Sequence, residues 1–270
     1  MPVQIQIVSD LHLEATKAYD YFAIPPKAPV LALLGDIGTP AKPHEPAFLH
    51  FLARQLAAFR AVLFVPGNHE AYRSSWPETL AILRAFETEV RAGAGAALGE
   101  FVLLDRGVFR VPGEDVVVLG CSLFSRVPPE SREDVGFGLN DFFQTGDGWD
   151  VDAHNEAHKR DLEWLNARVG ELEGSGVEIV VFTHWSPSRD GRAADPRHAG
   201  SAITSAFSTD LSGEVCFRSK DVKIWAFGHT HFNCDFTVER EDAPALRLLA
   251  NQRGYYGEAG GFDVEKVIQL

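Results

Sequence analysis

Residues 61–70 read Ala-Val-Leu-Phe-Val-Pro-Gly-Asn-His-Glu, a short apolar run that stops at a glycine and then delivers polar side chains able to bind metal. A continuous run of this length suits a strand buried on both faces. The same spelling recurs along the chain. Residues 3–12 (VQIQIVSDLH) end in Asp10 and His12, 30–36 (VLALLGD) in Asp36, 177–184 (VEIVVFTH) in His184, and 222–231 (VKIWAFGHTH) in His229 and His231. With Asn68 and His69, five apolar runs thus terminate in metal-competent side chains. In an open α/β sheet, ligands sit outside the carboxyl ends of the strands, where the loops diverge, so these residues are expected to converge. Gly35, Gly67 and Gly228, just after three of the runs, are expected to allow tight turns or close backbone approach.

Working outward, further strand-like runs cover Val116 to Leu119 and Leu246 to Leu249. Amphipathic helical patterns cover Glu45 to Phe59, Trp76 to Val90 and Ala153 to Leu172. Strands alternating with helices predict an α/β architecture, and the strands clustered within Phe101 to Leu119 and Phe232 to Leu249 predict a second, partly antiparallel sheet. The expected fold is a four-layer sandwich of two packed mixed β-sheets flanked by helices, with the metal site at the strand C-terminal ends. Gly93 to Gly99 (GAGAALG) follows a helix and lacks the G-x-G-x-x-G spacing, so it reads as a loop and not as a dinucleotide site. Ser186 to Ser201, rich in Pro, Arg, Asp and Gly, reads as irregular surface structure.

The chain has 270 residues, 45% of them hydrophobic and 23% charged, a composition suited to one globular domain over residues 1–270. Twenty-five basic against 38 acidic residues give a formal charge of −13, which disfavours long nucleic acid and favours a small partner. Cys121, Cys216 and Cys234 are odd in number and lie in apolar stretches, so they read as reduced core thiols. The opening MPVQIQIVSD has no basic leader and no run approaches membrane-spanning length, which sets the expectation of a cytoplasmic protein without a membrane partner.

Taken singly, each strand-end motif has an ordinary reading. Asp10-x-His12 fits a turn or cap, Gly35-Asp36 and Gly67-Asn68 are turn vocabulary, and His184 alone fits a satisfied histidine. In Gly228-His229-Thr230-His231 the two imidazoles, two residues apart on an extended segment, are expected to point to one side. Together the ligand types select a metal class. Imidazoles mixed with carboxylate and amide oxygens, without thiolate, suit Mn²⁺, Fe²⁺ or Zn²⁺ better than a cysteine-rich zinc site or an all-oxygen Ca²⁺ site.

Asp10-x-His12, Gly35-Asp36, Gly67-Asn68-His69-Glu70, His184 and Gly228-His229-Thr230-His231, in that order, resemble the motif set of the calcineurin-like metallophosphoesterases. The resemblance implies two divalent cations, manganese first with iron or zinc as alternatives. It assigns Asp10, His12, Asp36 and His231 to one ion and Asp36, Asn68, His184 and His229 to the other, with Asp36 bridging. It further implies a phosphoester hydrolase in which a metal-activated hydroxide attacks phosphorus, while His69, not itself a ligand, serves the leaving group.

One departure matters. The protein serine/threonine phosphatase branch has an Asp-Arg-Gly triplet three residues after the bridging aspartate, where this chain reads Asp36-Ile37-Gly38-Thr39-Pro40. The acid that would orient His69 and the arginine that would grip a phosphate are both missing there. That tilts the reading toward small or nucleotide phosphodiesters, with a phosphomonoesterase or a non-catalytic binding scaffold of the same fold as alternatives. A nuclease acting on long nucleic acid is disfavoured by the acidic balance. Arg189, Arg192 and Arg197 could compensate, although they and His198 read first as solvated loop residues. His154 and His158 are expected on an exposed helix face, His44 and His50 near another helix, and Asn251 to Tyr255 in a structural role.

Overall fold

In the computed structural model, which describes residues 2–93 and 98–270, eleven strands form two sheets. The first has the order β11 (Val267–Gln269), β1 (Gln4–Val8), β2 (Val30–Leu33), β3 (Ala61–Phe64), β4 (Glu100–Leu103). Its strands β1 to β4 run parallel, and β11 pairs antiparallel with β1. The second has the order β5 (Gly107–Arg110), β6 (Val116–Cys121), β7 (Glu178–Thr183), β8 (Val222–Phe227), β10 (Ala243–Ala250), β9 (Cys234–Arg240). There β6, β7, β8 and β10 are parallel, and antiparallel β5 and β9 close the two edges.

The period of two along each strand explains the layering. Ala32 and Leu34 at β2 join Ile5, Ile7, Leu63, Val118, Val180, Phe182 and Ile224 in a core between the sheets. Leu31 and Leu33 face the other way, against Phe48, Phe51, Leu52 and Leu83. Those residues come from the helices that cover the first sheet. After α1 (Leu13–Thr16), these are α2 (Glu45–Ala58) and α3 (Trp76–Arg91). The short α4 (Arg132–Gly138) and α5 (Asp141–Gln144) precede α6 (Val151–Leu172), which covers the second sheet with α7 (Val215–Arg218) through Leu165, Val169, Cys216 and Phe217. Strands buried on both faces need no polar alternation, which is why they read as unbroken apolar runs; each fully buried Leu, Ile or Phe contributes about 1.5–3 kcal/mol.

The layered sandwich is as expected, with three differences. The strand containing Phe101 belongs to the first sheet, because it pairs with β3. His154 and His158 are not on an exposed face: both are buried, on the same stripe of α6 as Asp161, Leu165 and Val169. His154 Nε2 accepts the amide of Ser125 at 3.1 Å, and His158 Nδ1 donates to the Leu123 carbonyl at 2.9 Å. Finally, His229 and His231 do not lie on an extended segment, since both have positive φ (68° and 49°). Of the glycine-rich loop, residues 94–97 lie outside the described residues. The segment Ser186 to Ser201 is irregular apart from two 3₁₀ turns, and Cys121, Cys216 and Cys234 are free thiols.

Candidate metal centre

The loops after β1, β2, β3, β7 and β8 meet where the C-terminal ends of the two sheets adjoin, and they bring Asp10, His12, Asp36, Asn68, His69, His184, His229 and His231 together. All but half-buried His231 are buried. Asp10, His12, Asp36, His229 and His231 sit in the left-handed region, with φ between 46° and 68°. This conformation is uncommon for residues other than glycine, and asparagine, aspartate and histidine are the side chains that enter it most readily. Gly35 (φ 89°) and Gly67 give the space: a Cβ on Gly35 would lie 2.3 Å from His184 Nδ1, and one on Gly67 2.3 Å from Asp36 Oδ1.

The nitrogens and oxygens separate into two groups about Asp36. Asp36 Oδ2 lies 3.8 Å from His12 Nε2, whose ring nitrogen is 3.0 Å from His231 Nε2, itself 3.3 Å from Asp10 Oδ1. Asp36 Oδ1 lies 3.5 Å from His184 Nε2, which is 3.0 Å from Asn68 Oδ1. Asp10, His12 and His231 offer atoms close enough to share one cation, as do Asp36, His184 and His229; the atoms of His12, Asp36 and His69 also lie that close together. The two imidazoles of Gly228-His229-Thr230-His231 therefore diverge to opposite sides of Asp36.

The surrounding contacts fix how each group points. His184 Nδ1 donates to the Leu34 carbonyl at 2.8 Å, which turns the lone pair of Nε2 inward. Asp141 Oδ1 accepts the Asn68 side-chain amide at 2.9 Å and the Tyr72 hydroxyl at 2.6 Å, so the Asn68 carbonyl oxygen faces the cluster. Ser9 Oγ donates to Asp10 Oδ2 at 2.5 Å.

The electrostatics favour a cation. Burial works against a charge on Asp36, yet His184 and His69 hold its carboxyl well below the usual range. Burial likewise disfavours a charged His184, but Asp36 draws its pKa up to about 9. Buried negative charge that pulls protons onto imidazoles also pulls divalent ions, and ion binding would release those protons. His229 has the opposite character. Burial holds its pKa well below the ordinary value, and Nε2 is buried without a hydrogen-bond partner. A neutral imidazole with an orphaned buried nitrogen beside a carboxylate is what a metal ligand requires.

The acid that orients His69 comes from a place the sequence did not reveal. Glu14 Oε1, on α1, accepts from His69 Nδ1 at 2.9 Å and lies 3.5 Å from His12 Nδ1. On the other side of the ring, the Tyr255 hydroxyl lies 2.8 Å from His69 Nε2. Asn251 and Gln252 do have the expected structural role. The Asn251 amide donates to the Ile7 carbonyl at 2.7 Å, and Gln252 Oε1 accepts the His231 amide at 2.6 Å. Tyr255 belongs to the site itself. Arg192 and Arg197 do not reach it, being paired with Asp190 and Asp195 at 2.6 Å each, and Arg189 Nε donates to the Ser208 carbonyl at 3.3 Å. His198 is exposed and His44 packs near Tyr19.

A histidine–carboxylate cluster at the strand ends of a two-sheet α/β sandwich fits a metal-dependent phosphoester hydrolase. The family model for calcineurin-like phosphoesterases matches residues 3–233, and the chain belongs to that family, whose members carry a dinuclear divalent centre. The chain is 23% identical, over 98% of its length and 96% of the relative's, to an uncharacterized protein of Acanthamoeba polyphaga mimivirus. Its fold is similar to that of the phosphopantetheinyl hydrolase of Mycobacterium tuberculosis, with a TM-score of 0.70, 15% identity and coverage of 100% of this chain and 96% of that one. A 5'-nucleotidase precursor from Thermus thermophilus is more distant, at TM-score 0.48 and 16% identity over 100% of this chain and 54% of that one. Among the described residues no helix is long and apolar enough to cross a membrane.

Proposed function

We propose that the chain is a phosphodiesterase for small or nucleotide diesters, with Asp10, His12, Asp36 and His231 holding one ion and Asp36, Asn68, His184 and His229 the other. The observation that carries this reading is the division of Asp36, whose Oδ2 faces His12 at 3.8 Å and whose Oδ1 faces His184 at 3.5 Å. A carboxylate so placed can hold two ions at the short separation of two-metal hydrolysis. When bound, the ions, Mn²⁺ first with Fe²⁺ or Zn²⁺ as alternatives, supply Lewis-acid activation of water and neutralise phosphoryl oxygens.

The chain's own residues do the rest. Asp10 and Asp36 supply buried negative charge, and His184, oriented by the Leu34 carbonyl, keeps its Nε2 toward Asn68 and Asp36, where it would hold an ion. His69, held through Nδ1 by Glu14, is the group on this side of the cluster that would serve the leaving group. The diester preference is supported by the arginines. Arg192 and Arg197 are taken up by their own aspartates, so neither meets the second charge of a terminal phosphate. The net charge of −13 fits a small ester better than long nucleic acid, and three free cysteines fit one domain working in the reducing cytoplasm.

The test is hydrolysis of bis-p-nitrophenyl phosphate against p-nitrophenyl phosphate by chelator-stripped protein with Mn²⁺ restored, and with Asp36→Ala as control. Metal-dependent turnover that prefers the diester and vanishes in the variant is expected. Preference for the monoester would make the protein a phosphatase, and no turnover with two ions bound would make it a binding scaffold.

A further inference from the structure

We infer that Tyr255 is a catalytic residue, the outer member of a hydrogen-bonded chain Glu14–His69–Tyr255 that delivers a proton to the leaving oxygen. This rests on the hydrolase reading above and changes which atom touches the leaving group. His69 is 7% exposed and both its ring nitrogens are engaged, Nδ1 with Glu14 at 2.9 Å and Nε2 with the Tyr255 hydroxyl at 2.8 Å. Its ring cannot swing outward freely, because it stacks on Tyr72 at 4.1 Å and meets His12 edge-on at 4.4 Å. Tyr255, by contrast, is 37% exposed.

Tyr255 is also held in place. Its ring stacks on His12 with centroids 4.2 Å apart. The residues before it are anchored to the loop after β1, with Arg253 Nη1 donating to the Leu11 carbonyl at 2.7 Å and the Arg253 amide to the Ser9 carbonyl at 3.1 Å. The hydroxyl is therefore fixed beside His12 and His69.

The step balances as follows. As the oxygen of the attacking hydroxide bonds to phosphorus, the phosphorus–oxygen bond to the leaving group breaks, and its electron pair goes to the leaving oxygen, which takes the proton of Tyr255 Oη. Oη simultaneously takes the proton of His69 Nε2, and His69 ends neutral with its remaining proton on Nδ1, still facing Glu14. Glu14 is a positioning residue in this scheme: it fixes the proton on Nδ1, so that the mobile one is on Nε2.

The test compares diphenyl phosphate with bis-p-nitrophenyl phosphate in wild type, Tyr255→Phe, His69→Ala and the double variant, with metal content measured in each. Phenoxide needs a proton more than nitrophenoxide does. Tyr255→Phe is expected to lower kcat roughly tenfold to a hundredfold on diphenyl phosphate and less than about threefold on the nitrophenyl ester, with metal content unchanged. The double variant is expected to be no slower than His69→Ala alone, since the two residues act as one unit. An equal loss on both esters, a raised KM with kcat intact, or additive losses would overturn the inference and leave the hydrolase reading standing. A wild type inactive on both esters would bring down the reading itself.

Discussion

Glu70 Oε2 accepts the backbone amide of Asp36 at 3.0 Å and, with the same oxygen, the amide of Gly67 at 2.7 Å. One carboxylate oxygen thus joins the loop after β2 to the loop after β3. Its other oxygen takes the amides of Ile37 at 2.9 Å and Gly38 at 3.3 Å. Four buried amides would otherwise lack acceptors, so Glu70 holds Asp36 between the His12 and His184 sides of the cluster.

Glu70→Gln tests this. The glutamine must turn its NH₂ toward one pair of amide donors, and each donor left unpaired costs about 1–3 kcal/mol. Urea unfolding is expected to show that loss together with reduced metal content. An unchanged midpoint and full metal content would mean that the carboxylate does not organise the site.

Metal binding should be visible as stability before any substrate is tried. Mn²⁺ added to chelator-treated protein at a hundred times its dissociation constant is expected to stabilise the fold by about 2.7 kcal/mol. Thermal unfolding reads the shift, and Asp36→Ala should abolish it. A shift that survives in the variant would place the ions elsewhere.

Gly35→Ala and Gly113→Ala separate backbone strain from crowding. Both glycines have positive φ, 89° and 82°, but a Cβ on Gly113 meets nothing within 4 Å, whereas one on Gly35 meets His184 Nδ1. The Gly113 variant is expected to lose about 1–2 kcal/mol for the left-handed backbone alone. The Gly35 variant should lose more and also lose metal, because His184 must move. Equal losses with metal retained would show that the contact is soft.

Acid should destabilise the protein through His154. Burial pushes its pKa down to about 3, against an ordinary value of 6.5. The unfolded chain therefore binds a proton that the folded one refuses between those values. Stability from this group is complete above pH 6.5 and is lost as the pH falls toward 3, at no more than about 1.4 kcal/mol per pH unit. His154→Gln, which can still accept from the Ser125 amide, should flatten that dependence relative to wild type. Parallel curves for the two proteins would assign the acid sensitivity to other groups.

The strand ends were legible because a buried parallel strand is an unbroken apolar run, and the residue that ends it is conspicuous. That held for Asp10, Asp36, Asn68, His184 and His229. The supporting residues had no such signal. Glu14 follows His12 in a short helix, and its partner His69 lies 55 positions away; Tyr255 lies 186 positions from the same ring. Which carboxylate reaches which imidazole depends on loop paths that composition does not encode. His154 and His158 differ from these. With Asp161, Leu165 and Val169 they mark a helical stripe at spacings of four, three, four and four, so their burial could have been read from the sequence. The glycine before His229 suggested a turn, but the extended reading of the two histidines ignored the αL tolerance of histidine itself.

Five of the residues gathered around the proposed ions, Asp10, His12, Asp36, His229 and His231, share a backbone conformation that glycine would occupy at less cost. Selection for a stable chain and selection for a working centre therefore pull in opposite directions at the same positions. Glycine at these positions would relieve the backbone, but at Asp36 and Asp10 it would also strand the buried amides of His69 and His229. Evolutionary drift toward robustness would thus meet its own resistance in the active site, where the substitution that eases the backbone also dismantles the network around it.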